Sequence, residues 1–162
     1  MTIFGKTLSQ YLNFQKYILL LILTVGLGRL GLSLAGLPDS ATKWLSISVV
    51  TLIGVVYYAI RVPTSGFGSY KQLLPLMFIQ SVLSQGIVIA AIVIAIFTHK
   101  DNVFSAPEFS GGVDGKTWTH AAAHLIVGLV IGPLVSWLIG SALMFVVKKV
   151  TTQAPAARGT SA

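Results

Sequence analysis

The chain has 162 residues, of which 54% are hydrophobic and only 9% charged, and it contains no cysteine. Because soluble domains typically carry about 25% charged residues, the composition excludes an ordinary soluble protein, and the missing thiols exclude disulfides, cysteine-ligated metal sites and c-type haem. The net charge of +7 does not indicate a nucleic-acid partner, because the basic residues are scattered between apolar segments and form no basic patch.

Four apolar runs predict transmembrane helices, because each could cross a hydrocarbon core of about 30 Å, which takes about 20 helical residues. The predicted spans are 17–37, 44–60, 73–98 and 120–147. Pro38 and Pro63 follow the first two runs, and a polar outer-face loop, 99–119, separates the last two. The expected fold is an all-α integral membrane protein: one bundle of four transmembrane helices, with a segment over 1–16 before it and a polar tail over 148–162 after it.

The charges are distributed unequally between the two ends of these spans. One end holds Lys6, Lys16, Arg61, Lys71, Lys148, Lys149 and Arg158. The other end holds Lys43, Lys100, Lys116 and all the acidic residues, Asp39, Asp101, Glu108 and Asp114. Cytoplasmic loops carry an excess of Lys and Arg, so we expect both termini to be cytoplasmic. The expected location is the lipid bilayer of a bacterial cytoplasmic membrane.

The first span contains one arginine and a series of small residues. A charged side chain inside a membrane must pair or reach the interface, so we expect Arg29 to extend towards the outer face or to pair with Asp39 or Glu108. The small residues are Thr24, Gly28, Gly31 and Ala35. They would let another helix approach closely, and the fourth span is a candidate for that helix.

The third span carries a polar patch in otherwise apolar sequence. Its members are Gln80, Ser81, Ser84 and Gln85. Residues four apart share one face of a helix, so the four side chains are expected to lie together in the cytoplasmic half of the span. Hydrogen bonds between helices explain such a patch more simply than a transport pathway does.

The fourth span begins with two histidines that continue into a series of small residues, each four positions after the last. The series is His120, His124, Gly128, Gly132, Ser136 and Gly140. A spacing of four slightly exceeds the 3.6-residue turn, so the series winds slowly, and its first half is expected to face the bundle. Pro133 lacks a backbone N–H and predicts a kink in this helix.

The histidines and the acidic residues are all expected at the outer face. Two imidazoles four residues apart on a helix, such as His120 and His124, can chelate one ion. Candidates for a further ligand in or beside the loop are His99, Asp101 and Glu108. Nitrogen and oxygen donors without sulfur suit zinc, copper(II), iron or manganese, so a transition-metal site is one interpretation of this cluster.

Haem b is an alternative cofactor for the same region. Its axial ligands would be His99 with either His120 or His124, and Arg29 could bind a propionate group. A third interpretation needs no ligand, because imidazoles and Trp118 suit a half-hydrated interface and can hydrogen-bond to loop carbonyls. The sequence leaves these three interpretations open.

The function that the sequence favours is an accessory or scaffold subunit of a larger membrane complex, or a homo-oligomer, held together through small-residue helix faces. A metal- or haem-binding membrane protein and a small transporter or channel are the alternatives. Transport is disfavoured because the fourth span becomes apolar after His124, and Gln80 and Gln85 are expected at a different depth. No nucleophile elbow, phosphate loop or catalytic carboxylate pair is present, so we do not expect an enzyme.

Overall fold

The structure, a computed structural model, describes residues 2–107 and 112–153, and four long helical stretches account for most of them. The helices are α1 (Leu8–Leu34), α2 (Asp39–Thr42), α3 (Ile47–Thr64), α4 (Tyr70–Thr98), α5 (Trp118–Ala123), a π-helical segment (His124–Ile131) and α6 (Gly132–Gln153). The last three are continuous. Four stretches are long and apolar enough to cross a membrane: Leu8–Leu34, Ser40–Thr64, Tyr70–Thr98 and Trp118–Thr151. The prediction of a helical protein with four such stretches is confirmed.

The first helix begins earlier than the apolar run does. Thr7 forms a capping box with Gln10: the Thr7 hydroxyl accepts a hydrogen bond from the Gln10 N–H (3.2 Å), and the Gln10 side chain accepts one from the Thr7 N–H (2.8 Å). Such a box satisfies two amides at a helix start, so α1 begins at Leu8 rather than near residue 17. The hydropathy of the sequence identifies the apolar part of α1, but it does not identify the more polar first turns of the same helix, which precede residue 17.

A small antiparallel hairpin precedes α1, and the all-α prediction omitted it. Its strands are β1 (Thr2–Ile3) and β2 (Lys6–Thr7). The carbonyl groups of its turn and first strand are bound by the helices, because the Gln72 amide donates to Phe4 O (2.7 Å) and the Tyr11 hydroxyl donates to Ile3 O (3.0 Å). The hairpin therefore covers the end of the bundle that carries the termini.

The helix α4 lies at the centre of the bundle and packs against α1, α3, α6 and the π segment. The predicted contact between the small residues of the first and fourth spans is not found in the described chain. A side chain added at Gly28 or Gly31 would meet nothing within 4 Å, whereas one at Gly140 would lie 2.9 Å from the methyl carbon Cε of Met77 in α4. The small residues of the fourth span thus serve contacts with α4, and those of α1 face outwards.

The π segment is the least regular part of the fourth stretch. Its backbone bonds span five residues, as when the Gly132 N–H donates to Val127 O. Pro133 lies just after this segment. A proline in a helix has no N–H to donate to the preceding turn, and its ring clashes with the carbonyl group four residues earlier. Widening the turn before Pro133 avoids that clash. The expected disturbance at Pro133 therefore takes the form of a π-helical segment, a feature often found at functional sites.

Candidate metal and ligand site

The candidate site residues lie at the distal end of the bundle, the end away from both termini, where a buried polar loop closes the helices. The Asn102 side-chain amide donates to Ala91 O (2.7 Å), and the Val103 N–H donates to the Ser33 hydroxyl (2.9 Å). Asn102 and Ser105 are 3% and 0% exposed. These contacts bind the loop to α1 and α4, so it forms part of the bundle.

A cavity of about 290 Å³ lies beneath this loop. Its lining comes from all four long stretches and from the loop: Arg29, Ser46, Ile47, Ser48, Thr51, Ser84, Gln85, Val88, Val103, Phe104 and His124. No aspartate or glutamate of the described chain is among them. The structure therefore brings Arg29 and His124, both predicted cofactor-binding residues, to one cavity.

His124 is held by a glutamine of α4. Its Nδ1 donates to Gln85 Oε1 at 2.8 Å, and Gln85 fits there because Gly128 has no side chain: a Cβ at 128 would lie 2.5 Å from Gln85 Cδ. The expectation that Gln85 and His124 lie at different depths is wrong. The i→i+5 spacing of the π segment changes the register on which that expectation depended.

His120 is held by the loop before α5. Thr117 caps this helix and accepts a hydrogen bond from the His120 N–H (3.2 Å), and His120 Nδ1 donates to Gly115 O (2.9 Å). Gly115 itself lies against the backbone of Ser105, so close that no side chain could be added. The buried loop thereby positions the carbonyl that orients the His120 ring.

In both imidazoles Nδ1 contacts a protein oxygen, which leaves Nε2 available for a ligand. A carbonyl oxygen can only accept a hydrogen bond, so Nδ1 carries a proton in each ring, and in the neutral form of the ring the lone pair is on Nε2. The two ring centres are 5.0 Å apart, with the planes inclined by 51°. Gln85 and Gly115 thus give the pair the tautomer that metal-binding histidines use, in which the second nitrogen donates to a protein oxygen.

The other predicted ligands lie apart from this pair or cannot be placed. His99 is exposed at the end of α4, in a left-handed backbone conformation. Asp101 binds the Lys116 ammonium at 2.7 Å. Glu108 and the side chain of Asp39 lie outside the described residues. In the part of the chain that the structure describes, no three His, Asp or Glu residues converge as a metal site would require.

An ion-pair cluster occupies the surface of the loop, outside the long helical stretches. Lys116 binds both Asp101 (2.7 Å) and Asp114 (3.0 Å). The hydrogen bonds to Asp101 and Asp114 raise the pKa of Lys116 above its ordinary value. The Lys116 backbone N–H, followed by its ammonium group, lowers the pKa of Asp114.

The predicted polar patch on α4 divides between two surroundings. Gln80 is 1% exposed, and its amide donates to Thr51 O (3.3 Å), whereas Gln85 lines the cavity. Further from the distal end, the Tyr58 hydroxyl donates to buried Gln15 Oε1 (3.1 Å). Gln15 Nε2 and Gln80 Oε1 are buried and without a hydrogen-bond partner in the described chain. The sequence did not predict the buried roles of Gln15 and Asn102 or the contact of Gln85 with His124. Only Gln15 offered a signal, because its amide stands in an otherwise apolar helix and needs a partner there.

Comparisons with protein-family models, with curated proteins and with solved structures gave no match to this chain.

Proposed function

We propose that this chain is an integral membrane protein, with both termini cytoplasmic in a bacterial cytoplasmic membrane, that binds a divalent transition-metal ion at its outer face through His120 and His124. The observation that supports the proposal is the common state of the two rings, each with Nδ1 donating to a protein carbonyl oxygen. The orientation follows from the excess of Lys and Arg at the end with the termini.

The spacing of the rings fits chelation of one ion. If the metal lies about 2.0–2.1 Å from each Nε2 and the two bonds make about 90–109°, the ring centres should be roughly 4.5–5.2 Å apart. The observed separation is 5.0 Å. The separation of the ring centres is therefore compatible with chelation of one ion by both imidazoles.

Two imidazoles leave further coordination positions for water or for a residue such as Glu108. Imidazole donors suit zinc and copper(II) better than hard ions such as magnesium or calcium. The segment between the histidines is "AAA", without the glutamate that serves as general base in zinc proteases. The proposed activity is therefore binding rather than hydrolysis.

Metal titration of the purified protein tests this proposal. The tag should contain no histidine, and Zn²⁺ and Co²⁺ serve as probes, with cobalt reporting its coordination through visible absorption. We expect His120→Ala and His124→Ala each to weaken binding at least tenfold, while His99→Ala, the matched control, retains it. The site would be refuted if the protein bound metal no more tightly than detergent alone, or if all three variants lost binding equally. A Soret band in the absorption spectrum would indicate haem b in place of the ion.

Membrane topology can be tested with the same cysteine-free background. Val113 in the loop between α4 and α5 and Ser65 in the turn after α3 are both exposed. We expect a membrane-impermeant maleimide to label Val113→Cys in intact cells and Ser65→Cys only after lysis. The reverse labelling pattern would overturn the proposed orientation.

A subunit of a larger membrane complex, or a homo-oligomer, is the second candidate function. The observation that favours it is the outward face of α1, where Thr24, Gly28, Gly31 and Ala35 are exposed and nothing lies within 4 Å of a side chain added at Gly28 or Gly31. Oxidative cross-linking of Gly28→Cys in native membranes tests this face. Leu138→Cys, on the exposed side of α6, is the control, and equal cross-linking of both would mean random encounter.

A further inference from the structure

We propose that an apolar groove beside the N-terminal hairpin binds one acyl chain of an anionic phospholipid, whose phosphate group is held by Lys71. This groove, named here the hairpin groove, lies between α4 on one side and the π segment and the start of α6 on the other. The proposal rests on the proposed membrane location, and it is independent of the metal site at the distal end.

The hairpin groove has the dimensions of a site for one acyl chain. Its volume is about 630 Å³, and every described residue that lines it is apolar. Along α4 the lining extends from Leu74 to Val82, which is about 12 Å at a rise of 1.5 Å per residue. One leaflet of a hydrocarbon core of about 30 Å is about 15 Å deep. The groove therefore extends over most of one leaflet.

Two prolines and the hairpin form the walls of the groove. Pro75 in α4 and Pro133 in α6 both line it, and a proline ring fixes the backbone φ angle. Ile3 and Phe4 of the hairpin line it too, and the Gln72 amide binds the hairpin to α4 through Phe4 O (2.7 Å). Phe4 has a φ of 48°, which is uncommon for a bulky residue, and strained positions of this kind cluster at ligand clamps.

The charge at the end of the groove near the termini favours an anionic headgroup. Lys71 precedes Leu74 and Pro75 by three and four residues, so it shares with them the face of α4 that lines the groove, and it is exposed. The sequence segments at the end with the termini contain seven Lys and Arg residues and no Asp or Glu. Basic residues beside a membrane surface attract anionic lipids, and no acidic residue of these segments competes for Lys71.

A second copy of this chain is a poorer occupant of the same groove. Two copies with the same orientation in the membrane would bring their basic ends together, and like charges at short distance repel. An anionic phospholipid has a negative phosphate next to its acyl chains, so it matches both the charge at Lys71 and the apolar lining beyond it.

Trp137 can report on the occupant of the groove. It follows Pro133 by one helical turn, so it lies on the same side of α6, and its indole N–H donates to Tyr70 O (2.8 Å) at the start of α4. Trp44 and Trp118 are exposed and belong to the distal end, so both can be replaced by phenylalanine. Trp137 is then the only tryptophan of the chain.

Quenching of this fluorescence by brominated lipids tests the proposal. The protein is placed in phosphatidylcholine vesicles that contain brominated phosphatidylglycerol or brominated phosphatidylcholine. We expect the anionic lipid to quench Trp137 at a mole fraction about fivefold lower, which is the preference that one basic residue near the surface contributes. Equal quenching by the two lipids, or none by either, as when a second copy covers the groove, would overturn the proposal.

Charge variants separate a site from general attraction to the basic end. Lys71→Gln should remove the preference for the anionic lipid. Arg61→Gln is the matched control, because it removes the same charge at the same end but lies on α3, which contributes no residue to the lining of the groove. An equal loss of preference in both variants would overturn the proposal.

A second pair of variants tests the position of the acyl chain. Val82→Phe fills part of the groove and should weaken quenching by the anionic lipid, whereas Val56→Phe, at a similarly exposed position of α3, should not. Equal quenching in these two variants would overturn the assignment of the groove. Failure of the protein to float with the vesicles would overturn the membrane location together with this site, whereas protein that floats without lipid preference overturns this site alone.

Discussion

Gln80 and Gln85 lie on the same helix, and each extends against a glycine of a neighbouring helix, yet their surroundings differ. A Cβ at Gly54 of α3 would collide with Gln80, and one at Gly128 of the π segment would collide with Gln85. In both places the missing side chain lets an amide enter the helix interface. This is the close approach that small residues permit in membrane bundles.

The difference lies in what each amide meets. Gln80 is enclosed, donates to a backbone carbonyl and keeps a buried oxygen without a partner in the described residues. Gln85 faces a cavity and accepts from a titratable ring. One residue type on one helix therefore packs the middle of the bundle at position 80 and orients a candidate metal ligand, His124, at position 85.

The largest expected effect separates these two roles. Gln85→Leu removes the acceptor that holds His124, and outer-shell partners of this kind contribute about 10–100-fold to metal affinity, so zinc affinity should fall by that factor. Gln80→Leu, the matched control on the same helix, should leave it unchanged. Gln85→Glu should restore affinity because a carboxylate also accepts from Nδ1. The same zinc titration measures all three, and unchanged affinity in Gln85→Leu would show that His124 needs no such partner.

A second prediction concerns the packing role of the enclosed glutamine. Gly54→Ala places a methyl group against Gln80 Oε1 and 3.1 Å from Ile18 Cγ2. Overpacking costs about 1–3 kcal/mol, whereas replacing glycine in a helix gains about 0.5–1 kcal/mol, so we expect a net destabilisation of at most about 2.5 kcal/mol, centred near 1 kcal/mol. The measurement is the thermal unfolding midpoint in detergent.

Gly86→Ala is the control for that prediction, because it lies in α4 with open space beside it. It should be neutral or slightly stabilising, since only the propensity gain applies. An unfolding midpoint for Gly54→Ala at or above that of Gly86→Ala would contradict the close contact of Gln80 with α3.

Much of the architecture follows from residue patterns, because membrane spans depend on the length of apolar runs and not on particular contacts. The spacing of His120 and His124 likewise predicts their proximity, since it depends on one helix. The contact of His124 with Gln85 could not be predicted: it depends on the relative depth of two helices and on a π segment that changes the register. The buried loop was missed because Asn102 and Ser105 resemble ordinary turn residues until their partners on α1 and α4 are known.

The smallest expected effect tests whether the distal end depends on its surface charges or on this buried loop. The pKa of Asp114 is lowered, so its contribution is present above its ordinary pKa of about 3.9 and is lost as the pH falls through the lowered value. The pKa of Lys116 is raised, so its contribution is present below about 10.4 and is lost as the pH rises through the raised value. The stabilisation that this ion-pair cluster contributes should therefore be constant between these limits and fall slightly beyond each, which is measured as the difference in unfolding midpoint between the parent protein and Lys116→Met.

Lys116→Met should remove the fall in stability that this cluster causes at low and at high pH. Added salt should do the same in the parent protein, because exposed ion pairs are screened by salt and contribute little. Asn102→Ala, by contrast, removes the buried donor to Ala91 O of α4 and the acceptor of the Phe104 N–H, a loss of about 1–3 kcal/mol. We therefore expect the unfolding midpoint to fall more in Asn102→Ala than in Lys116→Met at neutral pH. The opposite order would mean that the surface charges, and not the buried loop, contribute most to the stability of the distal end of the bundle.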